Sequence, residues 1–384
     1  MKATGIIVEY NPLHYGHVHH IEETKKLTKP DCLIAVMSSS FTQRGEPAIV
    51  DKFTRAEMAI KAGVDLVIEL PFVFTVQNAD RFAYSSIDIL NKLFVNDIVF
   101  GSESGDIKSL ESIIDIMDRD QYQTLVEEHL KNGYSYPTAN QHAFDTLSNQ
   151  KGTNLPNNIL GLQYIKSQRE INPRIQLSTI KRVSSGYYDD IDSTKHIQSA
   201  TSIRKELVSG NPIDKYVPSF VSALLKDKTP ITYNLFTEQF KYLINSSDKK
   251  ELSQIFNMRE GFENRILKTH QFKNTDDLIE QLITRRYTYS AIKRMLAHLI
   301  SQTPSSLIKD FDAPYIRVLG MNTTGKDYLS TIKKKMTVPL VTNVKENIHP
   351  YLDFELKVSK IISLVSDKDI FKEEFNPRNV LYLY

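Results

Sequence analysis

Apolar residues in the first half of the chain fall in short unbroken runs rather than in alternation: TGIIVEY (4–10), CLIAVMS (32–38), DLVIELP (65–71) and NDIVFGSE (96–103). Strands without a polar residue at every second position are covered on both faces, which describes a parallel sheet. Between them the apolar spacing changes to threes and fours, predicting helices over 17–28, 53–63 and 78–94. IQLSTIKR (175–182) reads as a fifth strand. PNNILGLQYIK (156–166) reads as a helix with Pro156 near its start, and SATSIRKELVSG (199–210) as another. Residues 106–150 are expected to be helical and polar, a candidate cover. Beyond Pro212 and Pro218 the pattern becomes a series of helices, interrupted by the strand-like IRVLGMN (316–322) and VPLVTNV (338–344). The expectation is an α/β domain over 1–212 and a mainly helical domain over 213–384.

Parallel sheets bind ligands beyond the carboxyl ends of their strands. Three polar segments lie at such ends: EYNPLHYGH, SSSFTQRGEP and GSESGD. The first carries histidines at 14, 17, 19 and 20. Zinc needs three or four ligands, and neither a cysteine nor a well-placed carboxylate completes that set, so no metal site is expected. Phosphate chemistry fits better. Gly16 lets oxygens approach the backbone, and the helix that follows points free N–H groups and a positive dipole end at them. His14 and His17 can then donate hydrogen bonds as charge builds on an α-phosphate.

The run His14-Tyr15-Gly16-His17 after strand one resembles the HxGH signature of the nucleotidylyltransferase superfamily, whose fold is Rossmann-like. That superfamily's second signature is matched by Ser199-Ala-Thr201-Ser-Ile-Arg204 at a helix start. Ser199 and Thr201 would hold the β- and γ-phosphates and Arg204 would neutralise the leaving pyrophosphate.

A wider set of segments resembles the bacterial tRNA(Met) cytidine acetate ligase family. They are EYNPLHYGHVHHI, FTQRGEPAIVDKFTRAEMAIKAGVDLVIELP, FGSESGD, PNNILGLQYI and TRRYTYSAIKRMLAHLI, spread over nearly the whole chain. Ser38-Ser39-Ser40 departs from the Ser-Gly-Asn-like turn of that family. The resemblance implies formation of acetyl-adenylate from ATP and acetate, then acetyl transfer to N4 of the wobble cytidine of elongator methionine tRNA. It also implies an ATP site along Ile7-Val8-Glu9-Tyr10-Asn11-Pro12-Leu13-His14-Tyr15-Gly16-His17-Val18-His19-His20, joined by Gly101, Asn157 and Arg182. Asn158 rivals Asn157. Mg²⁺ would be held mostly through the phosphates. Arg44 and Lys52, past strand two, are candidates to meet acetate or pyrophosphate.

Charge adds an RNA side to this reading. The net charge is +2, yet residues 1–210 sum to −4 and residues 211–384 to +6. TRRYTYSAIKRMLAHLI (284–300) has Arg285, Arg286, Lys293 and Arg294, no acid, and interleaved Tyr287 and Tyr289. Basic side chains would contact phosphates and a tyrosine would stack on an unpaired base. Lys333–Lys335 are a weaker candidate. The only cysteine is Cys32, the amino terminus lacks a signal-peptide core, and no apolar stretch approaches a membrane span, so a cytoplasmic location is expected. Two other functions compete: a small-molecule nucleotidylyltransferase of cofactor synthesis, and a non-catalytic ATP-dependent RNA-binding regulator.

Overall fold

Each apolar run of the first half becomes a strand in the computed structural model. It describes residues 1–134, 136–148, 159–182, 198–258, 261–284, 287–345, 347–376 and 380. The first half runs β1 (Ala3–Val8), α1 (Tyr15–Thr28), β2 (Cys32–Ser38), α2 (Lys52–Lys61), β3 (Leu66–Leu70), α3 (Phe72–Thr75), α4 (Ala79–Lys92) and β4 (Asp97–Ser102). A helical group, α5 (Ile107–Met117), α6 (Asp120–Lys131) and α7 (Tyr136–Ser148), precedes α8 (Ile159–Ile171), β5 (Gln176–Lys181) and α9 (Ala200–Val208). The rest comprises α10 (Ser219–Leu225), α11 (Thr237–Ser246), α12 (Lys249–Ser253), α13 (Phe262–Lys268), α14 (Thr275–Leu282) and α15 (Tyr289–Ser301). After these come β6 (Ile316–Met321), α16 (Thr323–Ile332), β7 (Leu340–Val341), α17 (Pro350–Ser363) and α18 (Ile370–Glu373).

The sheet has seven strands in the order β5-β4-β1-β2-β3-β6-β7. All neighbours are parallel except β3 and β6. Every residue of β2 and β3 is buried, as continuous apolar strands under helices on both faces require.

The second half contributes strands to the sheet of the first. Its strand-like 316–322 segment becomes β6 and pairs antiparallel with β3, so residues distant in sequence complete one sheet. The expected 338–344 strand shrinks to Leu340–Val341. One apolar cluster runs from Ala3 on β1 to Ile370 on α18.

Asp65 and α16 make the joint between these halves. The Asn322 side chain donates to Asp65 (2.8 Å) and the Asn322 N–H to the Asp65 carbonyl (3.0 Å). A Cβ on Gly325 would lie 2.2 Å from that carbonyl oxygen, a backbone atom that cannot rotate away. Gly325→Ala should therefore cost about 1–3 kcal/mol through overpacking. Thermal unfolding reads this, and an unchanged midpoint would mean that α16 tolerates displacement from β3.

Candidate active site

Beyond the carboxyl ends of β1 and β2 the chain turns sharply, and Arg55 braces the turn. Its guanidinium is wholly buried. It donates to the carbonyls of Glu9 (2.8 Å) and Ser38 (3.0 Å) and to that of Ser39, while its Nε donates to Val50 (3.2 Å). Sequence reasoning overlooked this residue. The available signal was an arginine amid the apolar positions of α2.

His14 caps α1. Its Nδ1 accepts the N–H of Gly16 (3.1 Å), and Nδ1 of His17 accepts the N–H of His14 in return (3.3 Å). Both Nδ1 atoms thus act as acceptors, which places the proton of each neutral ring on Nε2. The rings stack with centroids 3.8 Å apart, and Tyr10 meets His17 edge-on at 5.0 Å. Burial, aided by Arg182 and Arg204, drives the His14 pKa down to about 3. Burial and the neighbouring His14, His20 and Arg182 push His17 well below its ordinary value. His20 is lowered to about 4, again chiefly by burial. At neutral pH the site therefore offers uncharged imidazoles with N–H donors at the start of a helix.

The distant SATSIR segment closes on the same loop. Arg204 donates to the carbonyl of Asn11 (2.9 Å), to Glu46 (3.1 Å) and to the Thr201 hydroxyl (3.3 Å). The Ser199 hydroxyl is engaged at the helix start, accepting from the Ser202 N–H at 3.1 Å. Burial works against the Glu46 charge, yet Arg204 and Lys293 hold its pKa below the usual range. Glu9, half-buried and accepting the Gln43 N–H at 2.7 Å, has its pKa raised by loss of solvation.

The remaining expected residues divide clearly. Gly101 sits on β4 beside Arg182, whose Cγ would lie 3.2 Å from a Cβ at that position. The Arg182 N–H donates to Ser102 at 2.9 Å, just past β5. The side chains of Ile7 and Val8 belong to the sheet, while Pro12 and Leu13 are buried under the loop. Tyr15, Val18 and His19 lie along α1, Tyr15 exposed and the other two half-buried. Arg44 is exposed on the loop after β2, near Glu9 and Glu46. Asn157, Asn158, Arg285 and Arg286 lie outside the described residues.

Two expectations need correction. Lys52 does not face a substrate: its ammonium is wholly buried, 2.5 Å from Glu69, 2.8 Å from Glu374 and 3.3 Å from Glu355. Arg317 completes this cluster, 3.2 Å from Glu69 and paired with Glu374. An apolar setting tolerates such charges only when they are paired. Lys293 is likewise not an open phosphate contact, because it is nearly buried and paired with Glu46. Arg294 is half-buried, and Glu46 emerges as a site residue that motif reading had left unassigned.

A family model described as HIGH nucleotidyl transferase matches residues 1–376. The tRNA(Met) cytidine acetate ligase of Geobacillus sp. (strain WCH70) is 39% identical, with 98% of each chain covered. The chain belongs to the tRNA(Met) cytidine acetate ligase family of HIGH nucleotidyl transferases. In fold it is similar to Thermotoga maritima TmcAL, with a TM-score of 0.90 to the apo form I at 31% identity and full coverage of both chains. Against the form of that protein bound with alpha-thio ATP the TM-score is 0.88, again at 31% identity and full coverage. Membership makes the chain a ligase with a nucleotidylyltransferase-like α/β fold, as the resemblance implied. Among the described residues, no helix is long and apolar enough to cross a membrane.

Proposed function

We propose that this enzyme acetylates N4 of the wobble cytidine of elongator methionine tRNA in two steps at one site. An oxygen of acetate attacks the α-phosphorus of ATP, and the bond to the β-phosphate oxygen breaks, releasing pyrophosphate. The cytidine N4 then attacks the carbonyl carbon of acetyl-adenylate. AMP leaves with the electron pair of the broken C–O bond, and an N4 proton passes to solvent or base.

The observation that carries this reading is the hydrogen bond from Arg204 to the Asn11 carbonyl. It joins the HxGH loop to the second phosphate-binding signature, so one triphosphate can be held from both ends. His14 and His17 would donate through Nε2 to the α-phosphate, neutralising charge that appears only in the transition state. Ser199, Thr201 and the N–H groups opening α9 would face the β- and γ-phosphates, with Arg204 leaving Glu46 for pyrophosphate. Arg182, near enough to depress all three histidines electrostatically, is suited to a phosphate or the adenine face. Mg²⁺ would be carried mainly by the phosphates and would screen their charge. The cytoplasm, where ATP and tRNA meet, is the proposed location.

The test incubates the protein with radiolabelled acetate, ATP and total bacterial tRNA. Acid-precipitable label in RNA is expected. Pyrophosphate exchange that ignores acetate would favour a small-molecule nucleotidylyltransferase, and RNA retention without ATP turnover a regulator. Division of labour gives a further expectation. Changing both Arg285 and Arg286 to Ala should spare acetate-dependent pyrophosphate exchange but weaken tRNA binding, most visibly as salt is raised. An equal fall in both steps would refute a separate RNA role for that segment.

A further inference from the structure

We propose that the exposed ring of Tyr289, at the start of α15, is the platform on which the target base of the RNA stacks while its amine reaches the adenylate. The proposal rests on the tRNA-acylating reading above.

Three contacts connect this ring to the phosphate-binding arginine. Lys293 Nζ lies 3.9 Å from the centroid of the Tyr289 ring, the same ammonium pairs with Glu46, and Glu46 accepts from Arg204. The loop that carries Glu46 is pressed onto α15. Gly45 has φ +82°, and a Cβ there would lie 2.4 Å from the backbone nitrogen of Arg294. The Tyr233 hydroxyl sits 2.5 Å from the Gly45 carbonyl and 2.8 Å from that of Lys293, locking loop and helix together. Through Lys293 and Arg294, α15 is therefore held against the loop that carries Glu46, with Tyr289 one turn outward from that contact.

The chemistry around that ring selects its occupant. Tyr289 is 48% exposed, whereas Tyr287 is 8% exposed and packs against Phe262 with centroids 5.1 Å apart. Of the two tyrosines that the sequence offered for stacking, only Tyr289 has a ring open to a ligand. Arg294 lies close enough to Arg44 to feel its charge, and its Nε has no hydrogen-bond partner. An exposed aromatic ring with an ammonium at its face, on the helix that also carries Arg294, matches an unpaired nucleotide, with the base on the ring and the adjoining phosphodiester toward the basic side chains of that helix. An acceptor amine must also arrive unpaired, because Watson–Crick pairing occupies N4 of cytosine.

The experiment compares Tyr289→Ala and Tyr289→Phe for labelled acetate transfer to tRNA and for acetate-dependent ATP–pyrophosphate exchange. Tyr289→Ala should lower kcat/KM for tRNA by about tenfold to a hundredfold, the range for loss of one stacked base, and leave exchange at the wild-type rate. Tyr289→Phe keeps the ring face and should restore transfer. Wild-type transfer by Tyr289→Ala would overturn the proposal, as would a Tyr289→Phe variant no better than Tyr289→Ala. A parallel loss of exchange would also overturn it, since the ring would then be structural. Exchange without any label in RNA from the wild-type protein would instead remove the underlying reading, and the proposal with it.

Discussion

Acetate-dependent ATP–pyrophosphate exchange should fall by about 10²–10³-fold in His17→Ala, the loss typical of removing one preorganised donor from a transition-state charge. The His17 ring accepts a long 3.3 Å hydrogen bond from the His14 N–H and stacks on His14, so its structural role is that of a helix cap. Losing a cap costs about 1 kcal/mol. Rate and melting temperature should therefore separate, the first collapsing and the second moving by a few degrees. An unchanged exchange rate would remove His17 from the mechanism. The pH behaviour follows from the same geometry. Burial holds His14 at about 3 and His17 well below its ordinary value, so both folded-state values lie under the unfolded 6.5. Their contribution to stability is complete above pH 6.5 and declines as pH falls toward the folded values, because only the unfolded chain takes up those protons. In the free enzyme the rings stay neutral throughout that window. The acid limb of kcat/KM for ATP should accordingly show no midpoint at 6.5 arising from either ring.

Lys52→Met should destabilise the fold by about 3–5 kcal/mol at pH 8, the cost of leaving buried charges uncompensated. Lys52 and Arg317 face Glu69, Glu355 and Glu374, so the wild-type cluster already holds one carboxylate more than it has cations. Burial accordingly raises Glu355 to about 7, despite the attraction of Lys52 and the N–H of Phe72, which it accepts at 2.7 Å. A raised folded value means that this group stabilises fully below its unfolded value of about 4.5 and loses that contribution as pH rises through about 7. Removing Lys52 strengthens the tendency to hold a proton, so the deficit of Lys52→Met should shrink between pH 8 and pH 5.5. Denaturant unfolding at the two pH values measures this. A loss under about 1 kcal/mol at pH 8 would mean that water or relaxation reaches the cluster, contrary to its full burial.

The same cluster explains one misreading of the sequence. Lys52 follows Asp51 in a polar loop just past β2, a position that reads as ligand-facing. Whether a helix-start lysine points outward depends on what packs over it, and Glu355 and Glu374 arrive from segments some 300 residues away. Lys293 was misjudged for a related reason. Helical spacing sets Ile292, Leu296, Leu299 and Ile300 on one side of α15, and all four are buried. It could not report that the basic side meets the loop bearing Glu46.

What the sequence determined by itself is local and chemical. Unbroken apolar runs made buried parallel strands, and the HxGH and SATSIR segments named the groups proposed to handle phosphate, because hydrogen-bonding type and helix-start chemistry reside in neighbouring residues. Tertiary structure decided which distant groups meet. It set β6 against β3, fixed Arg204 between Asn11 and Glu46, and buried Lys52 among carboxylates. Those outcomes depend on long-range packing and charge pairing, which no window along the chain contains.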